Sequence, residues 1–126
     1  MLPPPKAIKV LLIDDAVLIT KRIANMIYDI ENENITVFVC NSYEDSLAFL
    51  ENNTPQIILM DIHLGEKSGI DLLEFVTAKY PSIKVVMVSN KASEYYRDLC
   101  AQKGCYHFID KSKEFEMIPK FIETLC

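Results

Sequence analysis

Three acids, one hydroxyl and one lysine stand where apolar runs give out. Asp14 and Asp15 close VLLIDD, Asp61 closes QIILMD, Ser89 falls in VVMVSN, and Lys111 follows in CYHFIDKS. Two carboxylates ~4 Å apart repel by about 4 kcal/mol at an effective dielectric of ~20, so acids gathered together need an offset. Protonation, a lysine or a divalent cation each supplies one. All-oxygen donors with few carboxylates and room for water favour Mg2+ or Mn2+. Lys111 adds a second positive charge, and the Ser89 hydroxyl adds a hydrogen bond. A carboxylate lying between a metal and a lysine is a competent phosphoryl acceptor. Asp61 is the candidate nucleophile, and the Asp14-Asp15 pair is the candidate cation site.

These residues act together only if the fold brings their runs side by side. Short β-branched segments occur at Ile8–Ile13, Ile35–Cys40, Gln56–Met60, Ile83–Val88 and Cys105–Ile109. Being apolar on both faces, they suit strands covered by helices on each side. Between them lie stretches of helical period. Ala16, Ile19, Ile23, Met26, Ile27 and Ile30 share one helix face. Ser42 caps a second helix carrying Leu47, Ala48 and Leu50, and Ile70, Leu73, Val76 and Tyr80 stripe a third. A fourth spans about Ala92 to Lys103, with Gly104 at C′. Pro119 cannot sit inside a helix cheaply, so the spacing predicts a turn at Lys113–Met117 and a last helix beginning near Pro119. Strict alternation of five strands and five helices implies a parallel sheet with right-handed crossovers. In such sheets ligands bind beyond the carboxyl ends of the strands, where the winding reverses. The five polar residues fall on that rim.

Composition narrows the classes further. The chain has 126 residues, half of them hydrophobic, enough for one domain (1–126, with 1–5 an extended Pro-rich lead-in) and a real core. A formal charge of −5 without a dense Lys/Arg cluster argues against direct nucleic-acid binding. No apolar run approaches the ~18–20 residues of a membrane span. MLPPPKAIKV has no secretory h-region, and Cys40, Cys100, Cys105 and Cys126 lack CxxC or disulfide-framework spacing. The expectation is a cytoplasmic protein with reduced thiols.

Asp14-Asp15, Asp61, Ser89 and Lys111, one set per strand end and in that order, resemble the receiver domains of two-component response regulators. The likeness covers about Lys6 to Leu125. It implies a flavodoxin-like (βα)5 three-layer α/β sandwich with a five-stranded parallel sheet of order 2-1-3-4-5. It also implies that Asp61 accepts a phosphoryl group from a phosphohistidine on a sensor histidine kinase or histidine phosphotransfer protein. Mg2+ (or Mn2+) would be bound by Asp15 and Asp61, by Asp14 mainly through water, and by the main-chain carbonyl of His63. Lys111 pairs with Asp61 and then with the phosphoryl group, Ser89 turns toward it, and the N–H of Asn90 faces it. Phe108 holds the switch-aromatic position and rotates inward behind Ser89. Such a domain is a switch controlling a downstream effector or attached output, not an enzyme with an external substrate.

This sequence departs from the pattern in places. Gly65 stands where a proline is usual after the acceptor, while Gly69 is where the family places it. Lys111 is followed by Ser112 and not by the usual proline, which leaves the peptide bond between them open as cis or trans. Asn90 is bulkier than the usual small residue, with slower access of water or donor as the expected consequence. On the partner side, Val17 and Leu18 lie off the buried stripe beside the acids and are expected to dock the donor's helical bundle. Tyr95 and Tyr96 are adjacent, so one faces outward on the surface the family uses for phosphorylation-dependent homodimers or effector contact. An aspartyl phosphohydrolase would want a second acid two residues after the nucleophile, and Asp61-Ile62-His63 lacks it. A flavodoxin needs a phosphate loop after the first strand, where two acids would repel the phosphate. A degenerate receiver that only binds partners keeps every residue named here, and a stand-alone regulator and an excised domain read alike.

Overall fold

The chain runs β1 (Ile8–Ile13), α1 (Val17–Tyr28), β2 (Ile35–Cys40), α2 (Tyr43–Asn52) and β3 (Ile57–Met60), then a small hairpin of β4 (His63–Leu64) and β5 (Lys67–Ser68). It continues through α3 (Gly69–Lys79), β6 (Lys84–Ser89), α4 (Glu94–Gln102), β7 (His107–Asp110), a 3-10 turn (Phe115–Met117) and α5 (Ile118–Leu125). The structure is a computed structural model that describes residues 7–126; the lead-in expected over 1–5 lies outside the described residues. Five strands pair in parallel in the order β2-β1-β3-β6-β7, which is the expected 2-1-3-4-5 order once the hairpin is set aside.

Period-two alternation along each strand splits the core into two layers. Leu11, Ile13, Ile58, Met60, Val85 and Met87 pack with Leu50 of α2, Leu72, Leu73 and Val76 of α3, and Cys100 of α4. Val10, Leu12, Ile57, Leu59, Val86 and Val88 pack with Ile23 and Ile27 of α1 and Ile118 and Ile122 of α5. Burying each such side chain stabilises by roughly 1.5–3 kcal/mol, so both faces of the sheet carry the helices that the doubly apolar strands require. Among the described residues no helix is long and apolar enough to cross a membrane, and the four cysteines are free thiols.

Several boundaries differ from the sequence reading. β3 starts at Ile57, because Gln56 sits at the strand entrance with its side-chain amide oxygen accepting the Lys9 N–H. β6 and β7 each reach one residue further, to Ser89 and Asp110, and start later than Ile83 and Cys105. α4 starts at Glu94 because Ser93 Oγ accepts the Tyr96 N–H as its cap, leaving Ala92 in the preceding loop. Gly104, at φ +100°, does end that helix. Ala16 and Ala48 are exposed and leave their stripes: Ala16 is the N-cap of α1, and the buried face of α2 is carried by Ser46 and Leu50. Ser46 is tolerated inside because its Oγ donates to the Ser42 carbonyl at 2.7 Å.

The hairpin had no counterpart in the sequence reading. Leu64 pairs with Lys67 across a two-residue turn, Gly65-Glu66, and Gly65 has φ +65°, the left-handed geometry that tight hairpins place on glycine. It sits directly after Asp61 and shapes the rim. At the same edge of the sheet, Ser42 Oγ accepts the Asp45 N–H at 3.0 Å and caps α2. Ser42→Ala is expected to cost about 1 kcal/mol, seen as a lower urea midpoint at unchanged slope. A loss below ~0.3 kcal/mol would show that water replaces this cap.

Candidate functional site at the carboxyl edge of the sheet

β1 and β3 are neighbours, with Ile13 beside Met60, so the residues that follow them leave the sheet together. The Asp61 N–H donates to the Ile13 carbonyl at 3.0 Å, and the Asp14 N–H donates to the Cys40 carbonyl of β2 at 3.3 Å. β7 brings Lys111 to the same rim, where its N–H donates to the Ser89 carbonyl at 3.0 Å. Lys111 is thereby fixed at the backbone before its side chain crosses the strand ends.

That side chain joins the two acids. Lys111 Nζ donates to Asp14 Oδ2 at 2.7 Å and to Asp61 Oδ2 at 3.0 Å, with all three side chains largely buried. The second Asp14 oxygen accepts the Ala16 N–H at 2.9 Å, and Asp61 Oδ1 accepts the Ile62 N–H at 2.7 Å. Burial pushes the Asp14 carboxyl above its ordinary range, and the bonds from Lys111 and Ala16 offset this only in part. For Lys111, burial works against the ammonium, but the hydrogen bonds and charges of Asp14 and Asp61 outweigh it and raise the pKa. The lysine is therefore held protonated, while burial works against the charge on Asp14.

The other expected residues are spread around this trio. Asp15 is exposed, and its Oδ2 accepts the Gly65 N–H at 3.0 Å, which ties the β1 loop to the hairpin. His63 pairs with Ser68 in the hairpin, with its side chain exposed. Among the described residues no three Asp, Glu, His or Cys side chains form a preformed metal cage. Ser89 ends β6 and is buried; its Oγ accepts the Lys91 N–H at 3.1 Å. Asn90 is exposed beside it. Phe108 already lies inside, 7% exposed, and the guanidinium carbon of Arg97 stands 5.0 Å from its ring centre. The Lys111–Ser112 bond is trans, with Asp110 Oδ1 accepting both the Ser112 N–H and its hydroxyl. Val17 and Leu18 are 59% and 80% exposed at the start of α1, next to Asp15. Tyr95 is 68% exposed, whereas Tyr96 packs against the core, the two rings meeting edge to face at 5.2 Å.

Two residues that the sequence reading does not single out, Asn41 and Thr20, support Asp14. Asn41 Nδ2 donates to the Asp14 carbonyl at 2.8 Å and to Thr20 Oγ1 at 3.1 Å, and Thr20 is buried. The available signal was the register itself: Asn41 follows Cys40, the partner of Ile13, so it must stand beside Asp14. Gly69, which stands where the family places it, supports Asp61 instead. A Cβ there would lie 1.9 Å from the Asp61 carbonyl oxygen, so α3 can begin this close to the chain after β3 only on a glycine.

Residues 10–123 match the family described as the response regulator receiver domain. The chain is 27% identical over 116 residues to the chemotaxis protein CheY of Listeria monocytogenes, covering 92% of this chain and 96% of that protein. It is 30% identical over 114 residues to a protein-glutamate methylesterase/protein-glutamine glutaminase of Clostridium acetobutylicum, covering 87% of this chain but spanning only 32% of that longer relative. The solved chemotaxis response regulator CheY4 of Vibrio cholerae superimposes with a TM-score of 0.83 at 17% identity, over 96% of this chain and all of that one, a likeness of fold. A profile match across nearly the whole sheet, on a rim where Lys111 bridges Asp14 and Asp61, gives the assignment: the chain belongs to the receiver domain family of two-component response regulators.

Proposed function

We propose that this receiver is a phosphorylation switch in which Asp61 accepts a phosphoryl group from a phosphohistidine. The observation that carries the reading is the Lys111 ammonium held 2.7 Å from Asp14 and 3.0 Å from Asp61 at the carboxyl edge of the sheet. An Asp61 oxygen attacks phosphorus, the P–N bond breaks with its electron pair going to the imidazole nitrogen, and an acyl phosphate forms on Asp61. Lys111 is positioned to follow the charge onto the phosphoryl oxygens. Ser89 Oγ uses a lone pair to accept the Lys91 N–H and keeps its own proton to donate to the new group. The chemistry is confined to the chain's own carboxylate, with no external substrate turned over.

The donor set suits a hard cation, since it is all oxygen and two of its carboxylates already share one positive charge. Mg2+ or Mn2+ would be held by Asp15 and Asp61, with Asp14 acting through water and the His63 carbonyl completing the protein ligands. When bound, it would neutralise charge on the incoming phosphoryl group. The setting is the cytoplasm, with a sensor histidine kinase or histidine phosphotransfer protein as donor. The output is a downstream effector or an attached domain, met through the face that carries Tyr95 and Tyr96.

Intact mass after incubation with phosphoramidate, with and without Mg2+, tests this reading. One phosphoryl adduct on the wild type, absent from Asp61→Asn and from metal-free samples, is the expected result. A folded wild type that takes no adduct would overturn it in favour of a phosphate-independent interaction module. The exposed pair on α1 makes a separate test. Leu18→Asp is expected to slow transfer from a phosphorylated kinase at least tenfold while leaving the phosphoramidate rate unchanged. Equal rates from the kinase would remove α1 from the docking surface.

A further inference from the structure

Outside the acidic site, three contacts converge on Arg97. Its Nε donates to the Ala92 carbonyl at 3.0 Å, its guanidinium lies over the Phe108 ring, and its Nη2 stands 3.7 Å from Glu114 Oε1. The same Glu114 oxygen accepts the Asp110 N–H at 3.0 Å, and the Glu114 N–H donates to the Asp110 carbonyl at 2.7 Å. β7 is an edge strand, so a main-chain N–H that faces outward lacks a strand partner, and Glu114 supplies one. One side chain thus joins the loop after Ser89, the buried aromatic of β7 and the turn before α5.

We propose that Arg97 is the positioning residue that couples the loop after Ser89 to Phe108 and the outer edge of β7. The inference rests on Asp61 being the phosphoryl acceptor. Ser89 Oγ is tied to the Lys91 N–H, so a hydroxyl drawn toward a phosphoryl group pulls on Lys91 and Ala92. The Ala92 carbonyl anchors Arg97, and the displacement therefore reaches the guanidinium that covers Phe108. A planar guanidinium can stack and donate sideways at once, which an ammonium cannot. Each contact is weak and the ion pair is partly exposed, so the set can release without unfolding α4.

Hydrogen exchange read by mass spectrometry tests this on the wild type, Arg97→Ala and Arg97→Lys. Arg22→Ala serves as the control, because Arg22 makes a similar contact over Phe115, 4.5 Å from its ring centre. Intact mass on the same samples reports the phosphoryl adduct. In unphosphorylated Arg97→Ala, exchange across 90–99 and 107–114 is expected to quicken about tenfold while β1 keeps its wild-type rate. The adduct should form in full yield, yet no longer change exchange at 107–114. Arg97→Lys should recover only part of the protection, and Arg22→Ala should leave both segments unchanged. Wild-type exchange in unphosphorylated Arg97→Ala, or an undiminished response to phosphorylation at 107–114, would overturn the proposal. If the wild type takes no adduct, the acceptor reading falls on that result alone, and the unphosphorylated comparison still decides whether Arg97 holds this face.

Discussion

Gly69→Ala is expected to destabilise the protein by about 2–4 kcal/mol and to slow phosphorylation of Asp61 by roughly a hundredfold. The added methyl would lie 1.9 Å from the Asp61 carbonyl oxygen, 2.9 Å from its carbonyl carbon and 3.0 Å from the Ile62 Cα. All three are backbone atoms, so no side chain can rotate away. Either α3 retreats from the sheet or the chain after β3 is pushed toward Lys111. The first opens the layer where Leu72, Leu73 and Val76 are fully buried. The second moves the Asp61 carboxylate out of reach of the ammonium that sits 3.0 Å away. A displacement near 1 Å is enough to cost about two orders of magnitude in a positioned reaction.

Gly65 provides the comparison that separates space from backbone strain. It has φ +65° but nothing within 4 Å of a built Cβ, so Gly65→Ala should cost only the left-handed penalty of roughly 1–2 kcal/mol. Urea unfolding of both variants, together with the rate of adduct formation, measures the difference. Gly69→Ala within about 0.5 kcal/mol of wild type would mean that the close approach of α3 to Asp61 relaxes freely.

The contrast between these glycines also shows what the linear sequence carries. Doubly apolar runs located the five sheet strands, and each run's polar successor had to lie on one rim. That rule alone places Asp14, Asp61, Ser89 and Lys111 together. The supports of the site are of another kind. Thr20 and Ser46 are buried because each finds a nearby carbonyl, Val17 at 2.9 Å and Ser42 at 2.7 Å, and a stripe drawn from apolar residues skips both. Asn41 and Glu114 matter through bonds that depend on strand register and on which strand is at the edge. The hairpin after Asp61 is only two pairs long, too short for its alternation to stand out, and Gly65 was its only marker. Arg97 covers Phe108 through a contact between helix and strand that spacing along the chain does not encode.

Lys111→Met should make stability dependent on pH, with a loss of about 3 kcal/mol at pH 8 that shrinks as the solution is acidified. Both acid oxygens bond to one Nζ, so they lie within about 6 Å of each other and repel by roughly 3 kcal/mol at an effective dielectric of ~20 once the ammonium is gone. The folded-state pKa of Asp14 is already raised, chiefly by burial. A raised carboxyl pKa contributes stability that is present below its unfolded value and is lost as pH rises through the folded one. Removing the cation moves that folded value further up, so the loss grows with rising pH, and protonation of Asp14 on acidification restores what the lysine supplied. Lys111 itself has a raised pKa, so its contribution persists until well above pH 8 and does not titrate in this window. Urea midpoints at pH 5, 6.5 and 8, taken in a chelator so that no metal substitutes for the ammonium, read the effect directly. A penalty that stays constant across the three pH values would mean that Lys111 acts through packing of its methylenes. The charge-bridging role on which the phosphoryl-acceptor reading rests would then lose its support.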